Sequence, residues 1–198
     1  MPSETTEIRR DGMKRIVAVL SLVMILAGCS GQADGSDPLL LLRKQLEMGQ
    51  GCEFDTVITA DYSENIYTFE MKCRVDRYGN LQFTVTQPES IAQISGTISE
   101  SGGRLTFDDQ ALAFEMLADG MLSPVCAPWI LIRSLRGGYI HGYSVEGKTV
   151  CTQLDDSFKG KNLQVWVWTK EDNQPQAAEI MYDGRRILSL TLENFKIV

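Results

Sequence analysis

His141 is the only histidine in the sequence, and Ser144 follows it by three residues. An imidazole beside a hydroxyl is the pairing that activates a serine nucleophile, and an imidazole alone can serve as a general base. Two runs of adjacent carboxylates, Asp108-Asp109 and Asp155-Asp156, have the residue types for acid–base hydrolysis of a glycosidic bond. Gly142-Tyr143-Ser144-Val145-Glu146-Gly147-Lys148-Thr149 matches the phosphate-binding pattern G-x-x-x-x-G-K-T. Four cysteines, Cys52, Cys73, Cys126 and Cys151, have thiols that can bridge, bind metal or pack.

Each of these needs an element that aims it, and the surrounding sequence decides. A phosphate-binding loop requires a helix after its lysine, so that backbone amides can hold the phosphate. Val150 to Leu154 reads as a strand instead, and Gly147 falls where a hairpin turns. If His141 and Ser144 share a strand, a separation of three puts them on opposite faces, which predicts a histidine with a structural hydrogen bond. Adjacent acids at turn-like positions predict solvated carboxylates. One histidine and no C-x-x-C spacing predict no zinc site, and no cofactor or catalytic residue is expected. The four cysteines permit two disulfides in any of three pairings. Pairing close in sequence, Cys52 with Cys73 and Cys126 with Cys151, is the expectation set against four buried free thiols.

The segment before Cys29 carries the strongest localising signal. Lys14 and Arg15 precede an apolar run, Ile16 to Leu26, broken only by Ser21. That run is too short to span a bilayer, which takes roughly 20 apolar residues, and it suits the apolar core of an export signal. Leu26-Ala27-Gly28-Cys29 resembles a bacterial lipobox, which implies cleavage before Cys29 and acylation of its thiol. Two or more acyl chains hold a protein firmly to a membrane where one does so only marginally. The chain is therefore divided into an extension and lipoprotein signal over 1–28, a lipidated cysteine with a Gly/Ser/Asp tether over 29–37, and a folded domain over 38–198. Residues 1–28 hold four of the 19 basic and three of the 26 acidic residues, which leaves 29–198 at −8. An acidic domain gains nothing from releasing counterions, so nucleic acid is excluded as a partner. The expected location is the extracytoplasmic face of the cell membrane, with acyl chains as the anchor.

Along the domain, Pro38 opens a helix whose Leu39, Leu42 and Leu46 form one stripe, and Gly49 and Gly51 end it. From Cys52 the apolar period becomes two: Phe54 to Tyr62, Tyr67 to Val75 and Leu81 to Val85 predict a three-stranded antiparallel meander. Ile91 to Ser99 and Arg104 to Phe114 continue it. Val125, Trp129, Ile132 and Leu135 predict a second helix, closed by Gly137-Gly138. Five strands follow: Tyr139–Val145, Lys148–Leu154, Asn162–Thr169, Gln176–Tyr182 and Arg186–Phe195. The fold class is α+β, a long antiparallel sheet with helices on one face. Trp166 and Trp168 share one face of their strand, and Val165 and Val167 the other. This predicts either a strand buried on both faces or a wall, with Leu42, Leu46, Trp129 and Ile132, of an apolar cavity between sheet and helices.

The order helix, meander, Leu122-Ser123-Pro124 helix and closing strands resembles the LolA/LolB-like superfamily of envelope proteins. The likeness is strongest from Leu163 to Val198, where a strand, Gln174-Pro175, a second strand, Asp183-Gly184 and a last strand follow one another. It is also similar to the Gram-positive lipoproteins that include the spore-germination protein GerS. The resemblance implies a curved antiparallel half-barrel with two or more helices on its concave face. It also implies a non-enzymatic module that holds a lipid or other apolar ligand, or docks an envelope partner such as a cell-wall or germination-related enzyme. The alternative is an envelope hydrolase using His141 or the paired aspartates.

Overall fold

The computed structural model describes residues 38–108, 110–114, 117–118, 121–158 and 161–198. Cys29, the export signal, the tether and Asp109 lie outside the described residues. Helix α1 (Pro38–Met48) leads into strands β1 (Gly51–Asp61), β2 (Ile66–Asp76) and β3 (Leu81–Gln87). Then come β4 (Ser95–Ser99), β5 (Gly102–Phe107), β6 (Gln110–Phe114) and the two-residue strands β7 (Leu117–Ala118) and β8 (Met121–Leu122). Helix α2 (Ala127–Gly137) precedes β9 (Tyr139–Glu146), β10 (Thr149–Phe158), β11 (Lys161–Thr169), β12 (Pro175–Tyr182) and β13 (Arg185–Ile197).

Eleven strands form one antiparallel sheet in the order β6-β5-β4-β3-β2-β1-β13-β12-β11-β10-β9. It is open, two meanders joined where the first strand meets the last, with Cys52 opposite Ile197 and Ala60 opposite Leu188. Alternation dictates which face is dry. Cys52, Phe54, Thr56, Ile58 and Ala60 of β1 are buried, as are Phe69, Met71, Cys73 and Val75 of β2 and Leu81, Phe83 and Val85 of β3. In the second meander the same inner face holds Thr152 and Leu154, Leu163, Val165 and Val167, Ala178 and Ile180, and Leu188, Leu190 and Leu192.

The helices cover that face. Helix α1 buries Leu39, Leu42 and Leu46, one stripe at helical spacing, each burial stabilising by about 2 kcal/mol. Helix α2 is apolar nearly all round and is correspondingly sunk: Trp129, Ile130, Leu131, Ile132 and Leu135 are all buried. A 3-10 turn, Pro124–Cys126, leads into it, and Pro128 sits in its first turn, where no backbone N–H is needed. Its last carbonyls are satisfied from α1: Arg43 donates Nε to Leu135 O at 2.7 Å and Nη2 to Ser134 O at 3.3 Å and to Gly138 O.

The expected meander, two helices and five closing strands are all present. Two strand expectations change. Ile91 belongs to a 3-10 turn, Glu89–Ile91, started by Pro88, so the strand begins only at Ser95. Arg104 to Phe114 is not one run but the β5–β6 hairpin, reversing at Asp108, whose φ is 47°. The Gly142–Thr149 motif is the β9–β10 hairpin, with Thr149 opposite Glu146 and Gly147 at φ 64°; strand, not helix, follows Lys148.

The cysteine pairing is corrected. All four described cysteines are buried free thiols. Cys52 lies opposite Val75 and Cys73 opposite Phe54, so the two are diagonal neighbours. Diagonal positions are about 7–8 Å apart, beyond the usual reach of a disulfide. Cys126, in the turn that leads into α2, packs in the core, whereas Cys151 alternates with Thr152 and Leu154 and so faces the other side of the sheet.

Candidate functional site on the outer face of the sheet

Register places most of the chemistry-bearing residues on the outer face of β9–β13, in three rows running across the strands. The first row is Ser144, Cys151, Trp168, Ala177 and Thr191. The second is Gly142, Gln153, Trp166, Glu179 and Ser189, and the third Tyr139, Asp155, Gln164, Met181 and Arg186.

This corrects the expected cavity wall. Leu42, Leu46, Trp129 and Ile132 do pack together under the helices, at 1–2% exposure. Trp166 and Trp168 are on the opposite side of the sheet, partly exposed, because Val165 and Val167 take the inner face at 0%. A hollow able to admit water would leave its lining accessible. The space between sheet and helices is instead occupied by the chain's own side chains.

The two indoles form a tilted pair, ring centroids 6.4 Å apart and planes at 54°. Their neighbours within the first row are short, so nothing in it rises above Trp168. Cys151, although on this outer face, is only 3% exposed, and the tall side chain beside it is Trp168. Burial pushes the Cys151 thiol up, the Glu146 and Glu179 carboxylates push it further, and a hydrogen bond with Ser144 offsets only part. A thiol held protonated is a poor nucleophile.

A bulge in β9 between the partners of Gln153 and Leu154 overturns the opposite-face expectation for His141 and Ser144. The extra residue is His141, which turns to the outer side, the side of Ser144. They still do not form a nucleophile–base pair. His141 Nδ1 lies 3.1 Å from Asp155 Oδ2, and Gln164 Nε2 donates to Asp155 Oδ1 at 3.2 Å. Ser144 is engaged with Cys151, two rows away, roughly 13 Å along the sheet.

Asp155 and Asp156 lie within β10, not at a turn, and point to opposite faces. Asp156 is inside, where its Oδ2 accepts from Ser134 Oγ at 2.9 Å and Arg133 Nη1 at 3.1 Å. Carboxylates divided by a sheet cannot flank one scissile bond. Asp108 stands in the β5–β6 turn, far along the chain order of the sheet from both. Among the described residues no group of three or more His, Cys, Asp and Glu side chains is placed to hold a metal, and no helix is long and apolar enough to cross a membrane.

A cleft of about 340 Å³ also opens on the inner side, between the end of α2 and the Tyr78–Asn80 turn. Its cations are engaged: Arg133 with Asp156 and over the Trp129 ring, Arg136 with the carbonyls of Asp76 and Arg77. The outer rows are the better candidate. Sequence reasoning missed them because both faces of β11 are apolar; the signal lay in Gln164, which shares the tryptophans' parity while Leu163 and Thr169 share the valines'.

No family model matches this chain, and no curated protein matches it. Solved structures do. A LolA superfamily protein from Nitrosomonas europaea is 9% identical over 81% of this chain and 93% of its own, with a TM-score of 0.45. A conserved protein from Thermus thermophilus is 10% identical over 80% of this chain and 85% of its own, at a TM-score of 0.46. The Mycobacterium tuberculosis lipoprotein LppX is 13% identical over 81% and 96%, at 0.33. At such identities and TM-scores no residue role passes across the likeness.

Proposed function

We propose that this chain is a lipid-anchored, extracytoplasmic binding module, without catalysis of its own, that works through the outer face of its sheet. Residues 1–28 direct export and are removed, Cys29 carries the acyl anchor, and residues up to 37 tether the domain 38–198 to the membrane surface. The resemblance to GerS-like envelope lipoproteins supports an occupant drawn from the envelope.

One observation carries the choice of surface. The inner face is filled, with Leu42, Leu46, Trp129 and Ile132 at 1–2% exposure, while the large rings of Trp166 and Trp168 stand partly exposed outside. Solvent-facing tryptophan has a cost unless something covers it part of the time, and Trp is the residue type most enriched at binding hot spots. The hydrolase alternative loses support because His141, Ser144, Asp155 and Asp156 are separately engaged.

Two measurements test this. A photo-crosslinking side chain at Gln153, in the second outer row, should capture an envelope component in living cells, while one at Thr84 on β3 should not. Native mass spectrometry of the gently extracted protein should give the mass of the chain and its anchor alone. A co-purifying lipid lost on filling variants under α1 and α2, or an empty crosslink at Gln153, would overturn the assignment.

A further inference from the structure

We infer that the occupant of the outer face is a neutral polysaccharide chain, whose successive sugar rings stack on Trp166 and Trp168. This rests on the outer-face reading above and assigns it a ligand class. A pyranose has an apolar C–H face and a fringe of hydroxyls. It therefore needs a flat π surface, negative at its centre, bordered by groups that both donate and accept hydrogen bonds. The amides Gln153, beside Trp166, and Gln164, one step along the same strand, can both donate and accept, and the Glu179 carboxylate on the other side of Trp166 accepts.

Spacing and tilt narrow the choice. Side chains on one face of a strand recur every ~6.6 Å, and the indole centroids are 6.4 Å apart, a stride comparable to one sugar of an extended chain. Coplanar rings would suit the flat surface of a crystalline polysaccharide. Planes at 54° cannot both lie against one flat surface, which leaves a single flexible chain.

Charge excludes the anionic polymers. The sequence is acidic at −7, and the only cation in the three rows, Arg186, is paired with Glu179 at 2.8 Å. A polyphosphate or nucleic acid would meet Asp155 and Glu179 with nothing to neutralise its own charge. A lipid surface is disfavoured too, since the pair is bordered by Gln153, Gln164 and Glu179 and is not part of a wider apolar patch.

The test is titration of the full-length protein in detergent with a soluble β-1,4-linked N-acetylglucosamine hexamer, read by calorimetry and by indole fluorescence. The hexamer should bind and change the fluorescence. Trp166→Ala and Trp168→Ala should each weaken binding about tenfold, and Trp166→Phe should restore part of it. Heparin should not compete. If either alanine variant loses its unfolding transition, Gln153→Ala with Gln164→Ala carries the same test from the rim. No binding at millimolar hexamer, binding indifferent to both tryptophans, or tighter binding of heparin would overturn the assignment. Should crosslinking at Gln153 succeed while the hexamer fails to bind, the outer face remains the working surface and its occupant is a protein. Failure at Gln153 would remove the surface itself.

Discussion

Asp155 and Asp156 are consecutive in sequence and lie on opposite sides of the sheet, Asp155 exposed beside His141 and Asp156 buried against Ser134. Their side chains are 40% and 10% exposed respectively. The two carboxylates are therefore expected to behave as unlike residues.

Asp156→Ala should destabilise the fold by about 2–3 kcal/mol, because it strands the Ser134 hydroxyl, which is wholly buried, and removes one ion pair of Arg133. Asp155→Ala should change stability by less than about 0.5 kcal/mol, its partners being solvent-exposed. Urea unfolding of the two variants checks both. Reversed effects would mean that β10 is out of register by one residue, since such a slip exchanges the faces.

The same pairing bears on the hydrolase alternative. His141→Ala should leave the biological activity of the protein and its stability within about 0.5 kcal/mol of wild type, for the imidazole is 61% exposed and its one described partner is Asp155. A loss of activity in a folded His141→Ala protein would restore the enzymatic reading.

Much of this architecture was legible in the sequence, because alternation is a local signal. Tyr67 to Val75 announces its two faces without reference to any other strand, and Pro38 with Gly49 brackets α1. What was hidden depends on partners. Trp166-Val167-Trp168 is apolar on both faces, so only its pairing with Gln153 and Glu179 shows which side is outside. The β9 bulge that carries His141 to the face of Ser144 leaves no mark in the one-dimensional pattern. The reversal at Asp108 was missed because Arg104 to Phe114 has no glycine or proline where it turns.

Helix α1 is tied to α2 by a single side chain that also ends the second helix. Arg43 reaches the carbonyls of Leu135, Ser134 and Gly138, where the helix dipole is negative; the Ser134 carbonyl also accepts from Gly138 N at 2.8 Å. Arg43→Ala should cost about 2 kcal/mol and raise amide exchange over the last turn of α2. Arg43→Lys should not recover it, since one ammonium cannot span three carbonyls as a planar fork does. Exchange unchanged at Arg136–Gly138 would show that the cap is not the link.

The thiols give a chemical check on the core. Burial pushes Cys52 and Cys126 up to about 12, and drives Cys73 upward with help from the nearby Cys52 thiol. In the native protein at pH 8 these three should resist alkylation, being both inaccessible and protonated. After denaturation without reductant all four described cysteines should react, which a disulfide would prevent. The shifts also fix the sign of the pH dependence. The unfolded chain ionises its thiols near pH 8.5–9, whereas the folded chain keeps those protons, so the native state binds more protons above that point. Stability from these groups is thus intact below about pH 8.5 and falls as pH rises toward 12, by ~1.4 kcal/mol per pH unit for each such thiol. Chemical denaturation at pH 8, 9 and 10 measures the slope. The Cys52→Ala, Cys126→Ala variant should lose the share of two thiols, about 2.8 kcal/mol per pH unit, and keep that of Cys73; a slope unchanged there shows that Cys52 and Cys126 are not buried as described.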